Sequence, residues 1–343
     1  MSTIGIILLL LAGFSQGTFG LGMKHQAPLS WAKFWLIYSL FGMLIIPLIW
    51  GMISTDYFWS IISITPKNVL FNAMGLGFLW GIGGILFGKS VKYVGVSITN
   101  GVVMGLAGGL GAIIPLLSIE GSVHQSSFIW VVTGVLLMLL GVCFSAYAGF
   151  LREKTSKKVE KKNGDQVLKG GTIGFVIVII SGILSSLLNV GFEAANPIVD
   201  IANNMGVSAS AAGLPARSVV VFGGFLMNAG YAVLLMIMNS KKTISKDISE
   251  NKCNNKKAYM WAGLTGFLWF LPLGLSGIVA VMIGTLGNTI TWPIMLSLSL
   301  VFGNIWGYTT GEWKGAKKAF SWMIVSSLVL IIACLVLTFK DML

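Results

Sequence analysis

The sequence predicts an all-α integral membrane protein: ten transmembrane helices arranged as two inverted five-helix repeats. Three observations lead there. Apolar runs of 18 or more residues recur along the 343-residue chain, in which 55% of residues are hydrophobic and only 10% charged. A soluble domain carries about 25% charged residues, and runs of this length match a hydrocarbon core about 30 Å thick. Lysine and arginine gather on alternate connections, and short segments of the first half recur in order in the second.

Spans are expected at 3–23, 34–54, 69–88, 95–117, 128–150, 171–192, 214–239, 258–277, 286–308 and 320–339. The first has no Lys or Arg before or within it, so the basic n-region of a cleavable signal peptide is missing. Its first cations, Lys24 and Lys33, follow the apolar run and favour an N-terminus outside the cell. The third span ends in "GGILFGKS" (83–90), which fits the phosphate-loop pattern at every position. That pattern cradles phosphate only between a buried strand and a helix, and here an apolar helix precedes it. Gly77, Gly81, Gly84 and Gly88 instead have the small-xxx-small spacing of close helix packing, with Lys89 and Lys92 marking the interface. The match is therefore read as chance, and no nucleotide is expected. The eighth and ninth spans share the 54 residues from Ala258 to Gly311, which contain no charge and are too long for one helix.

Of the 23 Lys and Arg, all but Lys67, Arg217 and Lys340 fall on one side of this arrangement. Positive-inside sorting places that side in the cytoplasm and both termini outside. It also explains the net charge of +12, since the basic residues form short stretches between apolar runs rather than a patch for nucleic acid. The stretches 151–170 and 240–257 read as polar linkers facing water or lipid headgroups. Cys143, Cys253 and Cys334 read as free thiols.

The halves repeat at a slowly growing offset. "TIG" at 3–5 recurs at 172–174, and Gly13, Gly22 and Pro28 recur as Gly182, Gly191 and Pro197. "GFLW" at 77–80 recurs at 266–269, and "FIW" at 128–130 meets "FSW" at 320–322. The domains are then 1–150, a first repeat; 151–170, a basic cytoplasmic linker; and 171–343, a second repeat. Five is odd, so the second copy is inverted, as in secondary transporters with a midplane site. An enzyme is the competing class, but the sequence has no nucleophile motif, metal spacing or His-Cys-acid cluster, and His25 and His124 fall at opposite faces. No enzyme activity, cofactor or metal is expected. A permease or exporter for another small metabolite and a non-transporting membrane sensor stay open as alternatives.

Ten spans in a 5+5 repeat resemble the drug/metabolite transporter superfamily, and within it the L-rhamnose–proton symporter family. The stretches that carry the likeness are 78–105 ("FLWGIGGILFGKSVKYVGVSITNGVVMG"), 197–215 ("PIVDIANNMGVSASAAGLP"), 223–228 ("GGFLMN") and 290–318. Its most specific parts are "WGIG" and "GEWKGA", and it runs from about residue 5 to 338. The resemblance implies import of L-rhamnose or a related deoxyhexose across the bacterial inner membrane, driven by protons or another ion. In the alignment it implies, the family has Asp at the position of Asn288 and His at that of Met295.

A neutral sugar needs flat aromatic faces for its C–H surfaces and amides or hydroxyls for its OH groups. Trp80 and Trp269 occupy equivalent positions of the two copies, well inside their spans, and are expected to line the cavity. Gln16, Asn100, Asn189, Asn228, Asn288 and Thr291, with Trp292, supply polar groups within spans. Interhelical hydrogen bonding is the competing reading for each. The family's pathway favours Gln16, Asn189 and Asn288. Among charges, Glu193 and Arg217 flank the outer ends of spans six and seven. They read either as solvated interface residues or as a pair that gates the outer entrance and carries coupling.

Overall fold

The computed structural model describes residues 2–23, 25–94, 96–118, 127–160, 172–240, 252–311 and 313–338. Among them every regular element is helical: α1 Thr3–Met23, α2 Trp31–Leu40, a π-helical turn Phe41–Ile45, α3 Ile46–Ser54, α4 Phe58–Ile64, α5 Lys67–Val94, α6 Val96–Ser118, α7 Ser127–Glu160, α8 Thr172–Ala194, α9 Asn196–Asn204, α10 Ala209–Ser240, α11 Lys252–Ile283, α12 Gly287–Thr309 and α13 Lys317–Thr338. Ten stretches are long and apolar enough to cross a bilayer, counting α2 through α3 as one and α8 with α9 as another. The backbone forces this outcome, because a spanning segment must satisfy its own N–H and C=O groups.

The ten expected spans appear, with differences at several ends. The third runs on to Val94 and the fifth to Glu160, so residues 151–160, expected to open a polar linker, continue α7, and residues 252–257, expected to close the other linker, begin α11. The sixth continues past 192 to Ala194, breaks at Ala195, and resumes as α9 with a proline in its first turn. The seventh begins at Ala209 rather than 214, with Pro215 inside it. The eighth runs from Lys252 to Ile283, because Lys256 and Lys257 extend the helix beyond its apolar core instead of ending it. The seven-residue α4 has no counterpart among the expected spans, being too short to register as one.

Packing follows some of the small residues: Gly77 and Gly81 lie against α10, whereas a Cβ at Gly84 or Gly88 would meet nothing, so these two do not make the close contacts expected of them. A Cβ at Gly77 of α5 would strike the Val220 carbonyl oxygen and crowd the Gly224 nitrogen of α10. One at Gly266 of α11 would meet the Tyr38 carbonyl oxygen and the Gly42 nitrogen, where α2 enters the π turn. Gly13 faces Leu298 and Gly182 faces Leu106; Gly22 faces Thr265 and Gly191 abuts Leu76. Such backbone approaches let apolar helices gain dispersion contact where lipid offers no hydrophobic driving force between them. The main helix pairings are α1 with α11 and α12, α5 with α8 and α10, α6 with α7 and α8, α2 with α10 and α11, and α7 with α13. The largest buried cluster holds Phe34, Tyr38, Phe192, Trp269, Phe270 and Trp292. It lies between the two halves.

Candidate functional site

Two groups of the expected residues come together, one toward each end of the bundle. The first lies where α8 breaks. Glu193 sits in the last turn of α8, and the irregular Ala195 turns the chain so that the Asn196 side chain reaches back to it. The Asn196 amide donates to Glu193 Oε1 at 2.8 Å, and the Asn288 amide donates to Glu193 Oε2 at 3.0 Å. Asn288 also reaches Asn196 Oδ1 at 3.4 Å. Its own Oδ1 accepts from Arg217 Nη2 at 3.0 Å. Arg217 and Glu193 are thus joined through the Asn288 amide rather than by a direct ion pair. Of the two readings the sequence leaves open for them, the pair at the outer entrance takes this amide-bridged form.

Arg217 is 3% exposed, so the reading of it as a solvated interface residue fails. A buried cation is costly unless its donors are used. Here Nε donates to the Leu273 carbonyl at 2.8 Å, and the guanidinium lies 4.5 Å from the Phe192 ring centroid. Gly277 makes the space, since a Cβ there would collide with the Arg217 side chain. Asn288 is held from its other side. Asn189 donates to its backbone carbonyl at 3.2 Å and also to the Gly111 carbonyl, tying α8 to α6 and α12. One turn along α12, the Trp292 indole donates to the Ala107 carbonyl at 2.9 Å. Thr291 is buried beside it.

Glu193, Asn196, Arg217 and Asn288 line a cavity of about 360 Å³, with Asp200 and Asn203 of α9 and Gly284 and Thr285 of the α11–α12 turn. Gly284 adopts φ +87°, a left-handed conformation that ends α11 and reverses the chain within three residues. The cavity belongs to the lysine-poor end by connectivity. Its lining side chains offer both donors and acceptors, and a hydroxyl likewise both donates and accepts.

The second group is aromatic. Trp80 and Trp269 stack with ring centroids 5.4 Å apart and planes 27° from parallel. Tyr38 meets Trp269 edge-on at 6.1 Å, Trp35 follows Tyr38 at 5.0 Å, and Trp31 stacks on Trp35 at 4.9 Å. The Trp35 indole donates to Asn228 Oδ1 at 3.0 Å, and the Asn228 amide donates to the Gly224 carbonyl at 2.9 Å. A continuous aromatic column therefore runs from the lysine-rich end to mid-bundle. It stops one helical turn from the Leu273 carbonyl that Arg217 binds.

Of the remaining expected residues, Gln16 is half-buried, and its Oε1 has no hydrogen-bond partner among the described residues. Asn100 is helical, but its side chain lies outside the described residues. Asn196, Asp200, Asn203, Trp35 and Tyr38 were not expected. The three α9 residues follow the sixth expected span, and the two aromatics lie near the start of the second. The only signal in the sequence is order, with Asn196 three positions after Glu193.

The model of the L-rhamnose-proton symport protein (RhaT) family matches residues 1–341. The L-rhamnose-proton symporter of Yersinia pestis (strain Pestoides F) is 25% identical over 335 residues, covering 96% of this chain and 95% of that protein. Its namesake in Klebsiella pneumoniae (strain 342) is 27% identical over 338 residues, covering 96% of each. These names favour neither an enzyme, nor an exporter, nor a sensor. With a match that extends through all ten membrane-crossing stretches, the chain belongs to the L-rhamnose-proton symport protein family.

Proposed function

We propose that this protein imports L-rhamnose or a closely related deoxyhexose together with a proton across the bacterial inner membrane. The observation that carries this reading is the polar cavity over Glu193, Asn288 and Arg217 at one end, set against the closed aromatic column at the other. Sugar enters the cavity, its hydroxyls replace amide contacts around Asn288, and Glu193 carries the proton. The column then parts and offers the faces of Trp80 and Trp269 to the sugar's C–H surfaces. The decisive test is counterflow of labelled L-rhamnose in proteoliposomes, with L-fucose and D-glucose as competitors. Counterflow driven by unlabelled L-rhamnose is expected, and none with any of the three sugars would remove the reading.

The alternating-access part of this proposal rests on inverted repeats. The helix pairings support it: exchanging spans one to five with six to ten turns α1–α11 into α8–α5, and α1–α12 into α8–α6. The glycine contacts behave alike. The Gly77 contact with Val220 and Gly224 maps onto the Gly266 contact with Tyr38 and Gly42, and Gly13–Leu298 maps onto Gly182–Leu106.

The lysine-poor end, and with it the cavity, is taken as external. In a variant whose native cysteines are replaced by serine, cysteines at Asn163 and Asn254 are expected to react only with reagents that reach the cytoplasm. A cysteine at Gly121 reacts from outside. Residues 121 and 163 lie outside the described residues, so the charge asymmetry alone carries this expectation. Surface labelling at Asn163 in intact cells would reverse the orientation.

Trp80→Ala and Trp269→Ala are each expected to weaken L-rhamnose binding at least tenfold with the protein still inserted. Tenfold is about 1.4 kcal/mol, in the range for one lost aromatic face. Isothermal titration of the purified variants checks this, and unchanged affinity in both would move the sugar away from the column.

A further inference from the structure

A second cavity, about 530 Å³, opens between the π turn, α3, α4, α5 and α10 at the lysine-poor end. Its walls are apolar: Met43 and Leu44 of the π turn, Phe58 and Ile62 of α4, Leu70 of α5 and Val219 of α10. The Ser218 hydroxyl in its wall is already committed to the Pro47 and Leu214 carbonyls. A sugar or other polar solute would find almost nothing to bond. The rim is exposed: Trp59 at 60% and Phe71 at 66% face outward from a bundle built to cross a bilayer.

One cation stands at this rim. Lys67 opens α5, is exposed, and makes no ion pair among the described residues. It is also one of only three basic residues on the side that sorting keeps poor in lysine. Topology therefore gives no reason for its charge. An apolar cleft at the depth of acyl chains, under a lone cation at the depth of headgroups, has the chemistry of one ligand class. We propose that this groove seats an acyl chain of an anionic phospholipid whose phosphate pairs with Lys67.

The seat adjoins the moving parts. Val219 and Ser218 follow Arg217 on α10, and Met74 in the groove wall packs against Gly223 at the α5–α10 crossing. The π turn supplies two of the lining residues, and such turns recur at functional sites. An occupied groove braces α10 from the lipid side at the turn where Arg217 meets Asn288.

The test uses the full-length protein, delipidated in detergent and offered equal phosphatidylglycerol and phosphatidylcholine with identical chains. Bound lipid is read by native mass spectrometry. Wild type is expected to retain one phosphatidylglycerol with about a tenfold preference. Lys67→Gln should lose the preference but keep a bound chain, and Leu70→Trp, which fills the groove, should lose both. Glycerol phosphate, which has no chain, should leave phosphatidylglycerol retention unchanged. Equal retention of the two lipids by wild type, or undiminished retention by Leu70→Trp, would overturn the assignment. If Leu70→Trp fails to fold, Leu48→Phe fills the same groove with less added volume and is held to the same outcome.

Discussion

Arg217→Met is expected to abolish L-rhamnose uptake, by at least about a hundredfold, or roughly 2.8 kcal/mol at the site. Methionine keeps an unbranched apolar stem while removing the guanidinium charge and both hydrogen bonds. The Leu273 carbonyl and the Asn288 Oδ1 then lose their donor, and Glu193 has no cation behind the bridging amide. Leaving buried groups unpaired costs more than their hydrogen bonds contribute when made. Arg217→Lys separates charge from geometry. Its single ammonium can serve the Leu273 carbonyl or Asn288 but has no fork to serve both, so a few per cent of uptake is expected to remain. Uptake in proteoliposomes and thermal unfolding in detergent are read together. Uptake above half of wild type in Arg217→Met would show that the network is mere scaffolding.

The second large effect concerns the proton. Glu193 is the carboxylate that the Asn288 amide joins to Arg217, at the base of the cavity. Glu193→Gln is therefore expected to eliminate rhamnose-induced alkalinisation of the medium while leaving counterflow measurable, because exchange of sugar for sugar moves no net proton. Asn288→Asp adds a second titratable group in direct contact with Glu193 and Arg217, restoring the residue that the family resemblance implies there. Uptake in that variant should depend on pH more steeply than in wild type. Alkalinisation that survives in Glu193→Gln would require another proton carrier. A flat pH profile in Asn288→Asp would separate position 288 from coupling.

The ten spans are legible in the sequence because the bilayer imposes a length, and each apolar run meets it. The helix pairings are partly legible through glycines such as Gly77 and Gly266, each of which brings its helix against a neighbour's backbone. The short α4 and α9 stay hidden: seven and nine residues leave no membrane-length signature. The polar network is only half visible. Glu193, Arg217 and Asn288 stand out as polar residues near apolar spans, but Arg217 and Asn288 are 71 positions apart and no periodicity joins them. Asn196 gives no such signal, because its importance comes from the break at Ala195, a feature of backbone geometry rather than of composition. Among the aromatics, Trp80 and Trp269 stand out by their matching places in the two halves of the sequence, whereas nothing singles out Trp35 and Tyr38 until α2 is packed against α10 and α11.

The contact between Trp80 and Trp269 bears on the empty carrier. A symporter must return unloaded to the outside after each delivery, and two bare indole faces lining a vacant passage would hold poorly bonded water during that return. Because the rings cover one another, neither of the facing surfaces is left to be wetted. In the proposed cycle the arriving sugar displaces an indole rather than water, so the net gain on binding is the difference between two stacking interactions and affinity is held down. A cargo gripped loosely is one that the cell interior can take away, after which the rings close behind it.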